Sequence, residues 1–193
     1  MNNISIKLTE CMTWIINKLC DINSSTNITD TKIVNECYKI VNLKNFMFNL
    51  SDINYAENKV LIFELLNQLT YAPVLNDDIF YNILNMKDDY NLIFACVNND
   101  KIVGLLTILI EYKFIHGGKC VAHIEDLVVD KVKRHQKIGG RLIKFAVEYA
   151  RILNCYKIIL NCNEDLSDFY RKNDFYPNGI CMRYNLPSEN VGI

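Results

Sequence analysis

HIEDLVVDKVKRHQKIGGRLIKFAVEYA, running from His123 to Ala150, changes its hydrophobic period part-way along, and that change decides how the chain is read. Leu127-Val128-Val129 is a short, β-branched apolar run suited to a buried strand. Asp130 and the basic residues after it end the run. Beyond Gly139-Gly140, Leu142, Ala146, Tyr149 and Leu153 recur at three- and four-residue steps, with Lys144, Glu148 and Arg151 on the other side. That spacing predicts an amphipathic helix over 139–153. Between strand and helix lies a basic turn carrying Lys131, Lys133, Arg134 and Lys137. A helix N-terminus presents unpaired backbone N–H groups and the positive end of its dipole, so this turn is suited to holding a phosphate.

Working outward, bulk properties bound the rest. At 193 residues and 50% hydrophobic, the chain can bury one substantial core, which predicts one domain with an appendage. A net charge of −1, with acids evenly mixed among bases and no aromatic-interleaved basic stripe, argues against a nucleic-acid partner. The eight cysteines form no Cys-x-x-Cys pair and have no histidine at ligand spacing, so no metal site is expected. Several, such as Cys96, Cys155 and Cys162, sit in apolar runs and read as free, mostly buried thiols of a reducing compartment. The apolar segment Met12 to Ile16 lies between Glu10 and Lys18, too short to span a bilayer, and the N-terminus lacks the features of a secretory signal. The expectation is a cytoplasmic protein with no membrane partner.

Taken in order, residues 1–45 predict a helical extension: a helix around 8–20, a polar link at Asn23 to Asn27, and a second helix around 30–41. The main domain is expected over 46–193. Phe46 to Leu50 suggests a first strand, and Ala56 to Leu69 a helix whose apolar positions include Val60, Phe63 and Leu66, stopped at Tyr71-Ala72-Pro73. A shorter helix follows at about Asp77 to Met86. Tyr90 to Val97 and Lys101 to Lys113 read as strands joined at Asn98-Asn99-Asp100, and His116-Gly117-Gly118 turns the chain into the strand ending at Val129. After the amphipathic helix, Lys157 to Cys162 must then run parallel to that strand. The fold class predicted is α/β (α+β), with a central, mixed, mostly antiparallel sheet flanked by helices.

The turn Arg134-His135-Gln136-Lys137-Ile138-Gly139-Gly140 fits the pattern Arg/Gln-x-x-Gly-x-Gly/Ala at Arg134 and Gly139, with Lys137 where the first glycine is usual. With His123-Ile124-Glu125-Asp126 before it, and Cys155-Tyr156-Lys157-Ile158-Ile159-Leu160 and Phe169-Tyr170 after it, the chain resembles the Gcn5-related N-acetyltransferase (GNAT) superfamily. The resemblance is strongest to members that acetylate glucosamine 6-phosphate on the way to UDP-N-acetylglucosamine. It is good from about Glu111 to Met182 and looser back to about Phe46.

That resemblance implies acetyl-CoA as co-substrate, no metal, and two splayed strands with a cleft for the pantetheine arm. Arg134, His135, Gln136, Lys137, Ile138, Gly139 and Gly140 would hold the pyrophosphate. The backbone of Leu127, Val128 and Val129 would meet the pantetheine amides and polarise the thioester, with Tyr170 and Lys172 also on the cofactor side. An amine attacking a thioester needs a neutral nucleophile, donors for the carbonyl oxygen and an acid for the leaving thiolate. Tyr170 is the implied acid. Adjacent carboxylates point to opposite faces of a regular strand, so one of Glu125 and Asp126 is expected to face the amine; Glu125 is the candidate for orienting or deprotonating it. Lys113, His116 and Thr70 would contact the sugar phosphate, and Tyr156 with Lys157 would reach it from a neighbouring subunit, implying a homodimer.

Asn161 stands where the family has an acceptor-contacting aspartate, and Asn185 where it has an arginine. Arg183, two residues before Asn185 and on the same face if that segment is a strand, can substitute. Lys137 is expected to cost about 1 kcal/mol if the loop demands positive φ there. Another small amine or a protein N-terminus as acceptor, and a non-catalytic acyl-CoA-binding module, are the alternatives.

Overall fold

The computed structural model describes residues 38–86 and 90–186. The helix expected around 8–20, the polar link after it and most of the helix expected around 30–41 lie outside the described residues. These divide into two compact units, one ending at Leu160 and one starting at Asn161.

The first unit is built on a five-stranded sheet in the order β1-β2-β3-β4-β5: Lys39–Asn42, Asn91–Asn98, Lys101–Tyr112, Cys120–Val129 and Lys157–Leu160. Neighbours are antiparallel except β4 and β5, which run parallel as predicted. Both faces of β2 are buried over most of its length, which is why its sequence reads as a continuous apolar run rather than an alternating one.

Two expectations about the start of the domain are overturned. Lys39–Asn42 is a strand rather than the end of a helix, and it supplies the edge of the sheet from within the segment expected to be an extension. Phe46 to Leu50 is not a strand. Helix α1, Leu43–Phe48, occupies that stretch, because the Asn42 side chain accepts from the Asn45 N–H at 3.1 Å and caps it. Leu43 and Met47, four residues apart, are then buried on one face. Helix α2, Asp52–Leu66, begins four residues earlier than predicted and buries Ile62, Phe63 and Leu65, while Val60 is exposed. Helix α3 spans Asp77–Met86, as expected.

The β2–β3 connection puts Asn99 at φ 49° and Asp100 at φ 59°, the two left-handed residues that a twisted two-residue hairpin requires. On one sheet face, Ile62, Phe63, Phe80 and Leu84 pack against Ala95, Val97, Leu105 and Val128. On the other, Phe94 meets Phe145 at 4.6 Å and Tyr149 at 5.5 Å between ring centroids. Those partners belong to helix α4, Ile138–Ile152, whose buried residues include Leu142, Ala146 and Tyr149, the stripe read from the sequence.

In the second unit the expected strand through Cys162 does not extend past Leu160. A single turn, Glu164–Leu166, leads into the short helix α5, Ser167–Arg171. Tyr170 is the fourth of its five residues.

Candidate active site

The site is set by an irregularity in β4. Leu105 pairs with Val128 and Thr107 with Glu125, so two steps along β3 match three along β4 and one extra residue is accommodated. Asp126 carries the distortion at φ 48°. This corrects the expectation that Glu125 and Asp126 alternate across a regular strand: the bulge interrupts the alternation between them. Glu125 is half-buried and aligned with the buried Thr107, whereas Asp126 is exposed. The parallel ladder with β5 ends at Ile124 and Leu160, while β4 runs on to Val129. The ladder stops just before the bulge because β5 is only four residues long.

Below the bulge the chain enters the basic turn. Asp130 donates its N–H to the Val103 carbonyl at 2.9 Å, and its carboxylate accepts from the Val132 N–H at 3.2 Å. The Gln68 Oε1, on the turn after α2, accepts from the Lys131 N–H at 3.0 Å and from Arg134 at 3.4 Å. Arg134 Nε reaches the Val129 carbonyl at 3.4 Å, so its guanidinium is held beside the strand end. His135 and Lys137 both take positive φ, 70° and 62°. Lys137 is the N-cap residue of α4 and makes no side-chain cap hydrogen bond, so its side chain does not occupy the N–H groups of Ile138, Gly139 and Gly140. The Ile138 side chain is fully buried and anchors the turn, leaving only its backbone to face a ligand. Gln136 accepts from the Tyr38 hydroxyl in a close contact, and Arg141 lies 5.7 Å over the Tyr38 ring. Such a ring of donors and cations fits a pyrophosphate.

A second cluster lies at the other end of β4. The His116 and Tyr156 rings are in contact at 4.1 Å between centroids, and Lys157 Nζ lies 5.5 Å over the Tyr156 ring. Lys113 pairs closely with Glu111, whose other oxygen is 3.1 Å from His123 Nε2. The Lys113 hydrogen bond first, then that of His123, holds the Glu111 carboxyl below the usual carboxylate range. Glu111 aligns with Val121 and Val121 with Lys157, so acid and lysine share one sheet face with His123 and Glu125. The structure thus brings His116, Tyr156 and Lys157 together and places Lys113 on the Glu111–His123 pair. Thr70 is exposed on the turn that also carries Gln68.

Gln68, Glu111 and the role of His123 as its partner were missed by the sequence reading. Glu111 and Lys113 at an i, i+2 spacing on one strand were the available signal; Gln68 had none.

Within the second unit, the half-buried Tyr170 ring packs edge-on against Phe169 at 5.0 Å and Phe175 at 6.1 Å. Burial, and secondly Cys162, push its phenol above the ordinary value of 10.0. Asn161 and Lys172 are exposed. Arg183 lies in no strand, which removes the shared-face argument; its Nε instead donates to Asn185 Oδ1 at 2.6 Å. Cys162 is exposed rather than buried, as is Cys181. Among the described residues, no group of His, Cys, Asp and Glu could hold a metal ion, and no helix is long and apolar enough to cross a membrane.

A sequence profile of the Acetyltransferase (GNAT) family matches residues 60–175. The chain is 37% identical over 126 residues to the glucosamine 6-phosphate N-acetyltransferase of Trypanosoma brucei brucei, covering 64% of this chain and 86% of that one. It is 38% identical over 130 residues to glucosamine 6-phosphate N-acetyltransferase 1 of Dictyostelium discoideum, covering 65% and 82%. The crystal structure of glucosamine-6-phosphate N-acetyltransferase from Arabidopsis thaliana superimposes with a TM-score of 0.66 at 26% identity, over 77% of this chain and 97% of that one. A bulged strand running into a basic turn, within a sequence match that spans most of the described domain, therefore makes this chain a member of the GNAT acetyltransferase family.

Proposed function

We propose that the protein transfers the acetyl group of acetyl-CoA to the amine of glucosamine 6-phosphate, giving N-acetylglucosamine 6-phosphate for UDP-N-acetylglucosamine synthesis. The observation that carries this reading is the pairing of two sites along β4. One end carries the phosphate-binding turn, and the other the His116–Tyr156–Lys157 cluster with Lys113, in a chain similar to enzymes named for this reaction.

Acetyl-CoA, when bound, supplies an activated thioester. The chain's own groups do the rest. The α4 N-terminus and Arg134 fix the pyrophosphate, and the β4 backbone at Leu127 to Val129 offers groups to the pantetheine amides and the thioester carbonyl. Glu125 orients the acceptor amine and takes its proton through water, and Tyr170 protonates the departing sulfur. Holding both substrates in one ternary complex removes the need for a covalent enzyme intermediate. Lys113, Lys157 and Arg183 bind the sugar phosphate, with Tyr156 and Lys157 contributed across the interface of a cytoplasmic homodimer.

A second reading, acetylation of a different small amine, draws on Asn161: an amide can hydrogen-bond hydroxyls but cannot balance an ammonium. The test is steady-state acetylation of glucosamine 6-phosphate against unphosphorylated glucosamine, with product followed by mass spectrometry. A preference in kcat/KM of about a hundredfold or more is expected for the phosphorylated sugar, since a site built for a charged group rejects the analogue lacking it. Turnover of neither sugar, with acetyl-CoA still bound, overturns the acceptor.

A further inference from the structure

Cys120 begins β4 and Cys155 lies just ahead of β5, and their sulfurs stand 3.0 Å apart. That is about 1 Å more than a disulfide bond of roughly 2.05 Å. The main chains beside them are already joined, because the Tyr156 N–H donates to the Cys120 carbonyl at 3.0 Å and Val121 pairs with Lys157 in the next step of the ladder. Cys120 thus stands opposite Tyr156, with Cys155 the residue before it, so the two cysteines are diagonal neighbours whose sulfurs are already close. We propose that Cys120 and Cys155 are a modification site: a dithiol that closes to an intramolecular disulfide when the protein meets a peroxide-class oxidant, locking β4 to the start of β5.

The two cysteines differ in access, and that sets the order of events. Cys120 is 1% exposed, and its thiol also lies 3.4 Å from the Leu153 carbonyl, whereas Cys155 is half-buried. Peroxide therefore meets Cys155 first. The Cys155 thiolate attacks one peroxide oxygen, the O–O bond breaks, and sulfenic acid forms with loss of hydroxide. Cys120 then attacks that sulfur, the S–S bond forms, the S–O bond breaks, and water leaves after proton transfer. Overall, two thiols and one hydrogen peroxide give one disulfide and two waters, with sulfur oxidised and peroxide oxygen reduced. Burial, then the hydrogen bond with Cys120, pushes the Cys155 thiol up to about 12, so little thiolate exists at neutral pH and the closure is slow.

The ring that closes contains the β4 bulge, the basic turn and α4, which are the backbone parts assigned to acetyl-CoA. Cross-linking this span restrains the unfolded chain, and because the strands are already in register it does so without moving them. The inference rests on the sulfur geometry and stands whatever the acceptor proves to be.

The experiment is peptide mapping of the full-length protein. The reduced chain is incubated at pH 8.5 with a few equivalents of hydrogen peroxide, denatured in excess N-ethylmaleimide, digested and read by mass spectrometry. The expected product is a Cys120–Cys155 cross-linked peptide, lost on reduction and absent in Cys155→Ser, with a melting temperature raised by about 5–10 °C. The exposed Cys162 and Cys181 serve as internal controls for oxidant access. Alkylation of both Cys120 and Cys155 after oxidation, or their linkage to other cysteines, overturns the proposal. A cross-link that leaves the melting temperature unchanged overturns its strain-free closure. The mapping uses the unmutated chain, so it does not depend on a serine variant folding.

Discussion

Gly104 on β3 leaves room for the carbonyl of Val128 on β4: a Cβ at position 104 would lie 3.1 Å from that oxygen and 3.4 Å from Leu142 Cδ1. The close approach occurs next to the bulge, where Leu105 pairs with Val128 and Gly104 with Val129. An added methyl must push either a backbone oxygen or the buried foot of α4. Gly104→Ala is expected to lose about 1–2 kcal/mol of stability and to raise the acetyl-CoA KM more than it lowers kcat, because the strand assigned to pantetheine shifts. Urea unfolding together with initial-rate kinetics checks both halves.

Lys137 holds a left-handed conformation at φ 62°, ψ 15° ahead of α4. A side chain there costs about 1–2 kcal/mol, while glycine gives back about 0.5–1 kcal/mol through the entropy of the unfolded chain. Lys137→Gly is therefore expected to stabilise the protein by about 0.5–1 kcal/mol. A midpoint of denaturation that falls instead would show that the lysine makes a compensating contact.

Asn58, 1% exposed on α2, braces the β2–β3 turn. Its Nδ2 donates to the Asn54 carbonyl at 3.0 Å and the Asp100 carbonyl at 2.9 Å, and its Oδ1 accepts from the Ile102 N–H at 2.9 Å. Truncation to alanine leaves buried groups unpaired and should remove about 2–4 kcal/mol. Thermal melting should drop, and the acetyl-CoA KM should rise with it, since Ile102 adjoins Val103, whose carbonyl holds the Asp130 N–H at the start of the basic turn.

Tyr170 is expected to act as a proton donor, and its pH behaviour follows from its surroundings. Burial first, then Cys162, raises the phenol above 10.0, which favours the protonated form. The acid is then present throughout the neutral and mildly alkaline range, and loss of kcat through its deprotonation should begin only above about pH 10. Tyr170→Phe should lower kcat by roughly tenfold or more. A kcat within about twofold of wild type would remove the assignment.

Arg134 is held by the Val129 carbonyl and by Gln68 rather than by a carboxylate, so its charge is available to a ligand. Arg134→Ala should raise the acetyl-CoA KM about tenfold with a smaller change in kcat, as expected when a group binds substrate and transition state alike. Titration of CoA by calorimetry measures the same loss without turnover.

What the sequence by itself determined is what depends on local spacing. The three- and four-residue recurrence of Leu142, Ala146 and Tyr149 specified α4 and its buried face, and the apolar runs on either side of Asn98-Asn99-Asp100 specified the hairpin, because period and turn chemistry act within a few residues. Lys137 stood out only through the resemblance, as a lysine where the family pattern has glycine. Tertiary structure decided the rest. Leu43 and Met47 became a helix face because Asn42 capped them and the core lay on one side. Asp126 left the regular strand because β3 fixed the register on either side of it, so the placement of Glu125 and Asp126 could not be read from alternation alone. Gln68 with Lys131 and Cys120 with Cys155 are partners brought together from distant parts of the chain. Such pairs have no signature in sequence spacing, since only the packing of the sheet and its helices sets the distance between them.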